Sequence, residues 1–202
     1  MEAAYQFDQA RIYQVVVGDF ENNVYVVQCA RTGESLLVDA AAEAERLLEM
    51  CELLHVKRVV ETHGHHDHIG AVDTLRDAGL PVGIGEGDAG RLSGFDEIIQ
   101  DGQVLRVGEL RIIAHATPGH TAGSICYSIE GVPVLFSGDT LFPGGPGATS
   151  YEGGDFPTII ESIRDRIFAK FSEDTLVLPG HGRSTTIGDE APHLEEWIAR
   201  GW

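Results

Sequence analysis

A histidine-dense segment follows a short β-branched run of the chain, and it constrains the fold more than any other feature. The segment reads Thr62-His63-Gly64-His65-His66-Asp67-His68 and comes after the β-branched run at 56–60, which predicts a buried strand. From the loop at the end of that strand, His63 and His65 can face one position. Asp67 and His68, at the start of the next predicted helix, can face a second. The segment therefore predicts a metal site at a strand end.

Three later segments repeat the plan of a strand, a turn of small residues and a side chain that can bind a metal. They place His120 after Pro118-Gly119, Asp139 after Ser137-Gly138, and His181 after Pro179-Gly180. Because four residues on adjacent backbone cannot enclose a metal ion, these loops are the candidates for the missing ligands. Together these side chains could bind two metal ions that share one carboxylate. Imidazole and carboxylate donors favour zinc, iron or manganese over calcium. The candidate ligands are His63, His65, Asp67, His68, His120, Asp139 and His181.

Hydrophobic periodicity predicts an α/β chain with strands before helices in both halves. This order predicts two sheets packed face to face with helices outside, a four-layer αββα arrangement. Since the chain has no linker, repeat or low-complexity tract, we expect residues 1–202 to form one domain. The predicted strands include 12–17, 24–28, 36–38, 56–60, 82–84, 110–114, 124–129, 134–136 and 176–178, and the predicted helices are 41–54, 69–78, 158–169 and 192–200.

The charge balance argues against a nucleic-acid partner. Fourteen Lys and Arg residues against 32 Asp and Glu residues give a net charge of -18, the wrong sign for a groove that follows phosphates. The sequence has no run of about 18 apolar residues and no signal-peptide pattern at its start, so we expect a cytoplasmic protein that does not bind membranes. Cys29, Cys51 and Cys126 form no Cys-x-x-Cys pair and are expected to be packing residues.

At these residues the chain resembles the metallo-β-lactamase superfamily. Residues 63–68 match its His-x-His-x-Asp-His motif, and His120, Asp139 and His181 match its later ligands. The resemblance covers nearly the whole chain and implies the αββα sandwich. It also implies two divalent metal ions per chain, zinc or alternatively iron or manganese. By this likeness, the first ion is held by His63, His65 and His120, the second by Asp67, His68 and His181, and Asp139 bridges them.

The resemblance further implies hydrolysis by a hydroxide that bridges two metal ions, with Asp67 and Asp139 as the catalytic carboxylates. Asp67 would orient the hydroxide or take its proton. Within the superfamily, the chain is similar to the short bacterial form of hydroxyacylglutathione hydrolase, the second glyoxalase enzyme, through Pro179-Gly180-His181-Gly182 and Thr185-Thr186-Ile187-Gly188. A small thioester or ester is therefore the expected substrate. We expect a monomer or a homodimer.

Two segments depart from that branch. Its Gly-Arg-x-Asp appears here as Gly147-Ala148-Thr149-Ser150, and its basic tail is replaced by the acidic segment 191–196. Arg183 is the nearest cation for glutathione carboxylates, or else a solvated surface residue. Two other reactions stay open: persulfide dioxygenation at one iron held by His63, His120 and Asp139, and lactone hydrolysis on the two-metal site. Dizinc β-lactamases, with Cys or Ser in place of Asp139, are less similar.

Several residues near the motifs have two interpretations. His66 is expected to point to solvent or to lie behind the ligands, and His55, His115 and His193 to be ordinary surface or strand residues. Asp39 either hydrogen-bonds a ligand imidazole or caps a turn. The loop at 142–147 is either a mobile rim of the site or a rigid connector, and Tyr151 and Phe156 are candidates to line the pocket.

Overall fold

In the computed structural model, which describes residues 2–201, two β-sheets pack face to face and helices cover both outer faces. The predicted αββα class is confirmed. The first sheet has seven strands in the order β1-β2-β3-β4-β5-β6-β7, and the second has six in the order β15-β14-β11-β10-β9-β8. A small hairpin of β12 and β13 lies apart from both sheets.

The strands are β1 Tyr5–Gln6, β2 Ala10–Val17, β3 Asn22–Cys29, β4 Ser35–Val38, β5 Val56–Val60, β6 Val82–Gly85, β7 Glu97–Ile99, β8 Val104–Val107, β9 Leu110–Ala116, β10 Ile125–Ile129, β11 Val132–Gly138, β12 Leu141–Phe142, β13 Gly145–Pro146, β14 Leu176–Pro179 and β15 Thr185–Thr186. The α-helices are α1 Ala44–Leu53, α2 Val72–Asp77, α3 Phe156–Glu161, α4 Ile187–Glu190 and α5 Leu194–Arg200. Short 3-10 helices span Glu86–Arg91 and Ala191–His193, and a π-helix spans Ser162–Phe168.

Both faces of the inner strands are buried, because each strand sends alternate side chains to opposite faces of its sheet. On β4, Leu36 enters the layer between the sheets while Leu37 packs under α1 and α2. On β11, Phe136 enters the central layer while Leu135 packs under the helices on the opposite outer face. Three apolar clusters result, one between the sheets and one beneath each helical layer.

Parallel pairing aligns the strand ends that carry the histidine and aspartate motifs. Strands β4, β5, β6 and β7 run parallel to one another, and β11 is parallel to β14. The carboxyl ends of β5, β11 and β14 each lead directly into one of the predicted ligand loops. The two sheets therefore contribute to a common edge.

The helices depart from their predicted bounds more than the strands do. The helix predicted at 41–54 is α1, and the one predicted at 69–78 begins only at Val72. The helix predicted at 158–169 is α3 followed by the π-helix. Asp67 and His68 were expected at the start of the second helix, but they lie in the turns before it, where the His68 amide donates to the His65 carbonyl at 2.9 Å.

Each cysteine is a buried packing residue, as predicted. Cys29 lies in the central cluster, Cys51 under the first helical layer and Cys126 under the second, and all three thiols are free. Within residues 2–201, no helix combines the length and the apolarity needed to cross a membrane.

Candidate metal centre

All seven predicted ligands meet at the common edge of the two sheets. The loop after β5 carries His63, His65, Asp67 and His68, whereas the second sheet supplies the other three. His120 lies between β9 and β10, Asp139 follows β11, and His181 follows β14. Among residues 2–201, three groups of donor atoms lie within 4.8 Å of one another. One consists of His63, His68 and Asp139, and the other two equal the expected ligand sets: His63, His65, His120, and Asp67, His68, His181.

Asp139 lies between these two groups. Its Oδ2 is 3.6 Å from His120 Nε2 in the first group and 3.6 Å from His181 Nε2 in the second. Its Oδ1 is 3.5 Å from His68 Nε2. A single carboxylate therefore faces donors of both groups.

The donor set fits metal ions, because several buried donor atoms have no other partner. Within residues 2–201, no hydrogen bond reaches the buried Nε2 atoms of His63, His65 and His120, or the buried Oδ1 of Asp139. Leaving such atoms unpaired costs about 1 to 3 kcal/mol each. Imidazole nitrogens with carboxylate oxygens are the donors that zinc, iron and manganese accept, so bound ions would satisfy all four atoms.

Two facing imidazoles lead to the same conclusion. His68 Nε2 and His181 Nε2 are only 3.1 Å apart. The Nδ1 atom of His181 donates to the Phe20 carbonyl at 2.9 Å, and Nδ1 of His68 lies 2.9 Å from Asp39 Oδ2. The two Nε2 lone pairs therefore point at one position, which a metal ion can occupy; without a metal ion, the proton that His68 retains through its raised pKa occupies this position.

Asp39 contacts His68 directly and His63 through Thr62. Besides the contact with His68 Nδ1, its Oδ2 accepts the Thr62 hydroxyl at 2.8 Å, and its Oδ1 accepts the Thr62 amide at 2.6 Å. The Thr62 oxygen lies 3.1 Å from His63 Nδ1, so this ring can donate to it. Of the two roles considered for Asp39, the structure shows the hydrogen bond to an imidazole, and this bond directs the Nε2 atom of His68 inward.

A backbone carbonyl holds His120 in the same manner. Its Nδ1 donates to the Ala148 carbonyl at 2.7 Å. Gly147 comes so close behind this histidine that an added Cβ would lie 3.3 Å from its Nδ1. The segment after Asp139, where the chain departs from the hydroxyacylglutathione hydrolase pattern, therefore orients a predicted ligand.

Asn22 is a part of the site that the sequence analysis missed. Its side-chain amide donates to Asp67 Oδ2 at 2.9 Å, and its backbone pairs with His181. Burial raises the pKa of Asp67, but the contacts with His181, His68 and Asn22 outweigh burial and hold this pKa below its usual range. Asn22 lies 45 positions from Asp67, and no local pattern could have linked them.

Electrostatics within the cluster keep several rings neutral. Burial, together with the neighbouring His120 and Arg91, lowers the pKa of His65 to about 4. Burial and nearby histidines also hold the pKa of His63 well below its usual value. Against the effect of burial, Asp139 and Asp39 raise the pKa of His68 to about 9. Neutral rings at His63 and His65 are the form that binds a metal ion.

A cavity of about 640 Å³ opens above the donor groups. His66 lines it with a side chain that is 83% exposed, and none of the three donor groups includes His66. Tyr151 lines the cavity as expected, whereas Phe156 packs against the outer apolar cluster instead. The cavity wall consists of Phe20, His65, His66, Asp67, Arg91, His120, Asp139, Phe142, Ala148, Tyr151, Glu152 and His181.

The arginine of the cavity is not the one that the sequence analysis singled out. Arg183 is exposed and lies outside the cavity wall, whereas Arg91 lines it. Arg91 ends the 3-10 helix after β6, far from every motif in the sequence. Of the remaining histidines, His115 bonds Ser128 and His193 bonds Glu196, away from the centre.

The loop at 142–147 contains strand structure. Residues of β12 and β13 pair within it, and the Gly144 amide donates to Glu190 Oε2 at 2.8 Å. Glu190 also accepts the Thr185 hydroxyl through Oε1 at 2.6 Å, which connects this hairpin to the segment after His181. The structure therefore supports the rigid connector, with Phe142 as its contribution to the cavity.

Comparison with known proteins gives one family and several relatives. The family described as "Metallo-beta-lactamase superfamily" matches residues 17–181. Hydroxyacylglutathione hydrolase GloC of Haemophilus influenzae is 35% identical over 176 residues, which cover 76% of this chain and 82% of the relative.

Two solved structures share the fold closely. The BLEG-1 B3 metallo-β-lactamase has a TM-score of 0.79 at 32% identity and covers 90% of this chain and 97% of its own. ETHE1 from Myxococcus xanthus has a TM-score of 0.81 at 29% identity and covers 93% of this chain and 88% of its own.

Proposed function

Because this chain belongs to the metallo-β-lactamase superfamily, we propose that it is a hydrolase that uses two divalent metal ions to cleave a thioester or a related acyl ester. One observation carries the proposal: two groups of three donors flank the carboxylate of Asp139. The similarity to a protein named hydroxyacylglutathione hydrolase supports the thioester as substrate class. Zinc is the proposed metal, and iron and manganese suit the same donors.

When bound, the metal ions would bring the pKa of a water molecule from about 16 to about 7 and polarise the substrate carbonyl. The residues of the chain supply the geometry around this chemistry. Asp139 would be shared by the two donor groups through its unpaired Oδ1 and its Oδ2. Asp67 Oδ2 already accepts the Asn22 amide, which leaves Oδ1 to accept a hydrogen bond from the attacking water and so to orient it, the role that the lowered pKa of this carboxylate suits.

The experiment that tests this function measures metals and turnover on the same preparation, purified without a chelator or a nickel resin. We expect about two metal ions per chain and hydrolysis of thioesters from a panel, lost on chelation and restored by zinc. One iron per chain without zinc, together with oxygen uptake on a persulfide, would replace the proposal by dioxygenation. Turnover of only lactones or β-lactams would support a metal-dependent hydrolase but contradict the thioester as its substrate class.

A further inference from the structure

The cavity above the donor groups has an aromatic end. Phe20 meets His66 edge to face with ring centroids 5.5 Å apart, and Phe142 stacks on His181 at 6.5 Å and an interplanar angle of 25°. The Phe20 carbonyl also accepts the His181 imidazole N–H. Both phenylalanines therefore lie beside the donor group of Asp67, His68 and His181, and Phe20 is 61% exposed with no protein layer over it.

The part of the cavity next to the other donor group carries a cation. Among the described residues of the cavity wall, Arg91 is the only arginine or lysine. Its stem passes over the glycine between the first two ligands, since a Cβ on Gly64 would lie 2.8 Å from Arg91 Cδ. Arg91 also contributes to the low pKa of His65, a member of the first donor group.

Two neighbours hold the guanidinium of Arg91 in place. Its Nη2 donates to the Glu152 carbonyl at 2.8 Å, and its Nε lies 3.7 Å from Oδ1 of the buried Asp88. Asp88 is itself fixed, because its Oδ2 accepts the Gly64 amide at 2.8 Å and the Thr121 hydroxyl at 2.6 Å. Arg91 Nη1 makes no hydrogen bond or ion pair within residues 2–201, and the side chain is 31% exposed.

We infer that Arg91 binds a carboxylate of the substrate and thereby determines specificity. A guanidinium held on one side presents its free N–H groups in the planar arrangement that a carboxylate matches. The substrate class is then a thioester or ester with a carboxylate on one side of the scissile bond and an apolar group on the other, the latter against Phe20 and Phe142. This inference rests on the proposed function and narrows its substrate.

The test compares acids with their neutral amides. The substrates are S-benzyl monothioglutarate and the S-benzoyl thioester of 3-mercaptopropionate, each beside its carboxamide, so that the carboxylate lies in the acyl half or in the thiol half. In Arg91→Gln, we expect KM for the preferred acid to rise about tenfold to a hundredfold, the effect of losing a hydrogen bond to a charged group. KM for the amides should change much less than KM for the acids, so that the preference for the acid over its amide falls, and Arg91→Lys should recover part of the loss.

Arg183→Gln is the matched control, because it removes the same charge from an exposed position outside the cavity wall. It should leave KM for every substrate unchanged, and all variants should contain the wild-type amount of metal. An equal loss for acids and amides in Arg91→Gln would overturn the inference and make Arg91 a structural residue.

A binding measurement separates this inference from the proposed function. Calorimetry with 3-(benzylthio)propionate, a thioether that cannot be hydrolysed, should give weaker binding to metal-loaded Arg91→Gln than to the metal-loaded wild type. If the wild type cleaves no thioester, the proposed function fails, while this titration still decides the role of Arg91. Equal affinity of the two proteins would overturn that role.

Discussion

At the scale of single residues, the predicted ligands depend on partners behind them as much as on their own identity. Asp39 has a φ of 64° and is buried, and its carboxylate lies against both Thr62 and His68. Asparagine tolerates this backbone conformation and has nearly the same shape. Replacing Asp39 by asparagine therefore removes the charged hydrogen-bond acceptor with little change in packing.

We predict that Asp39→Asn weakens metal binding about tenfold to a hundredfold, because the amide no longer holds His68 with a charged acceptor. Competition with a chromogenic chelator measures the affinity. Asp174→Asn, a change of the same kind at an exposed position, is the control and should bind metal like the wild type. Wild-type affinity in Asp39→Asn would contradict the role given to Asp39.

Asp139→Ala should abolish turnover and lower the metal content, since it removes the carboxylate that faces donors of both groups. Elemental analysis and a thioester assay on the same sample measure the two effects. His66→Ala, in the same cavity but outside the donor groups, should leave the metal content unchanged. Full activity in Asp139→Ala would rule out the two-metal assignment.

The sequence predicted which side chains converge but missed what surrounds them. His120, Asp139 and His181 each follow a strand and a small-residue turn, and such a pattern is local. Asn22 and Arg91 act through contacts with segments 45 and 61 positions away, and their own neighbours in the sequence carry no sign of this. Only the packing of the two sheets brings them to the site.

At the scale of elements, a glycine turn connects His120 to the outer helical layer. Gly119 has a φ of 133°, and a Cβ there would overlap the backbone nitrogen of Ile159 in α3. The Gly119 carbonyl accepts the amide of Asp155, the N-cap of α3, at 2.8 Å. The position of His120 therefore depends on how closely this turn approaches the helix.

Gly119→Ala should lower the free energy of unfolding by more than about 3 kcal/mol, since both the backbone conformation and the space exclude a methyl group. Gly79 and Gly90 both have open space around them, so substitutions there separate the cost of the backbone conformation from the cost of the lack of space. Gly79→Ala, at a φ of 91°, should cost about 1 to 2 kcal/mol, and Gly90→Ala little. Urea denaturation measures all three, and equal midpoints would contradict this order.

The strands were easier to predict than the helices for a physical reason. Strands such as β4 and β14 are largely buried on both faces and appear as continuous apolar runs, Leu36 to Val38 and Leu176 to Leu178. The ends of the helices depend on contacts instead: α2 starts three residues after its predicted first residue, and the π-helix continues α3 where Ser162 donates to the Pro118 carbonyl. The pairing of β12 with β13, stabilised by Glu190, also has no local signature.

At the scale of the whole molecule, the candidate metal centre joins the two sheets. Four predicted ligands follow β5 of the first sheet, and three come from loops of the second. Direct hydrogen bonds cross at the same edge, where Asn23 and Tyr25 donate to the Pro179 carbonyl at 3.0 and 2.8 Å. Bound ions would add to these contacts between the sheets.

We predict that removal of metal lowers the melting temperature by about 5 to 10 °C. Free metal at about a hundred times its Kd stabilises the folded protein by about 2.7 kcal/mol, and a chain of this size loses about 2 to 4 °C per kcal/mol. Calorimetry before and after chelation measures the shift. The melting temperature of Asp139→Ala should fall by less on chelation than that of the wild type. An identical shift in the two proteins would show that the metal binds elsewhere.

The spread of the predicted ligands along the chain also sets an order of events during biosynthesis. The first four lie between positions 63 and 68, but the last is His181 of 202 residues. A ribosome must therefore translate past position 181 before the second donor group exists in full. Until that point the nascent chain exposes only part of the donor set to the metals of its surroundings.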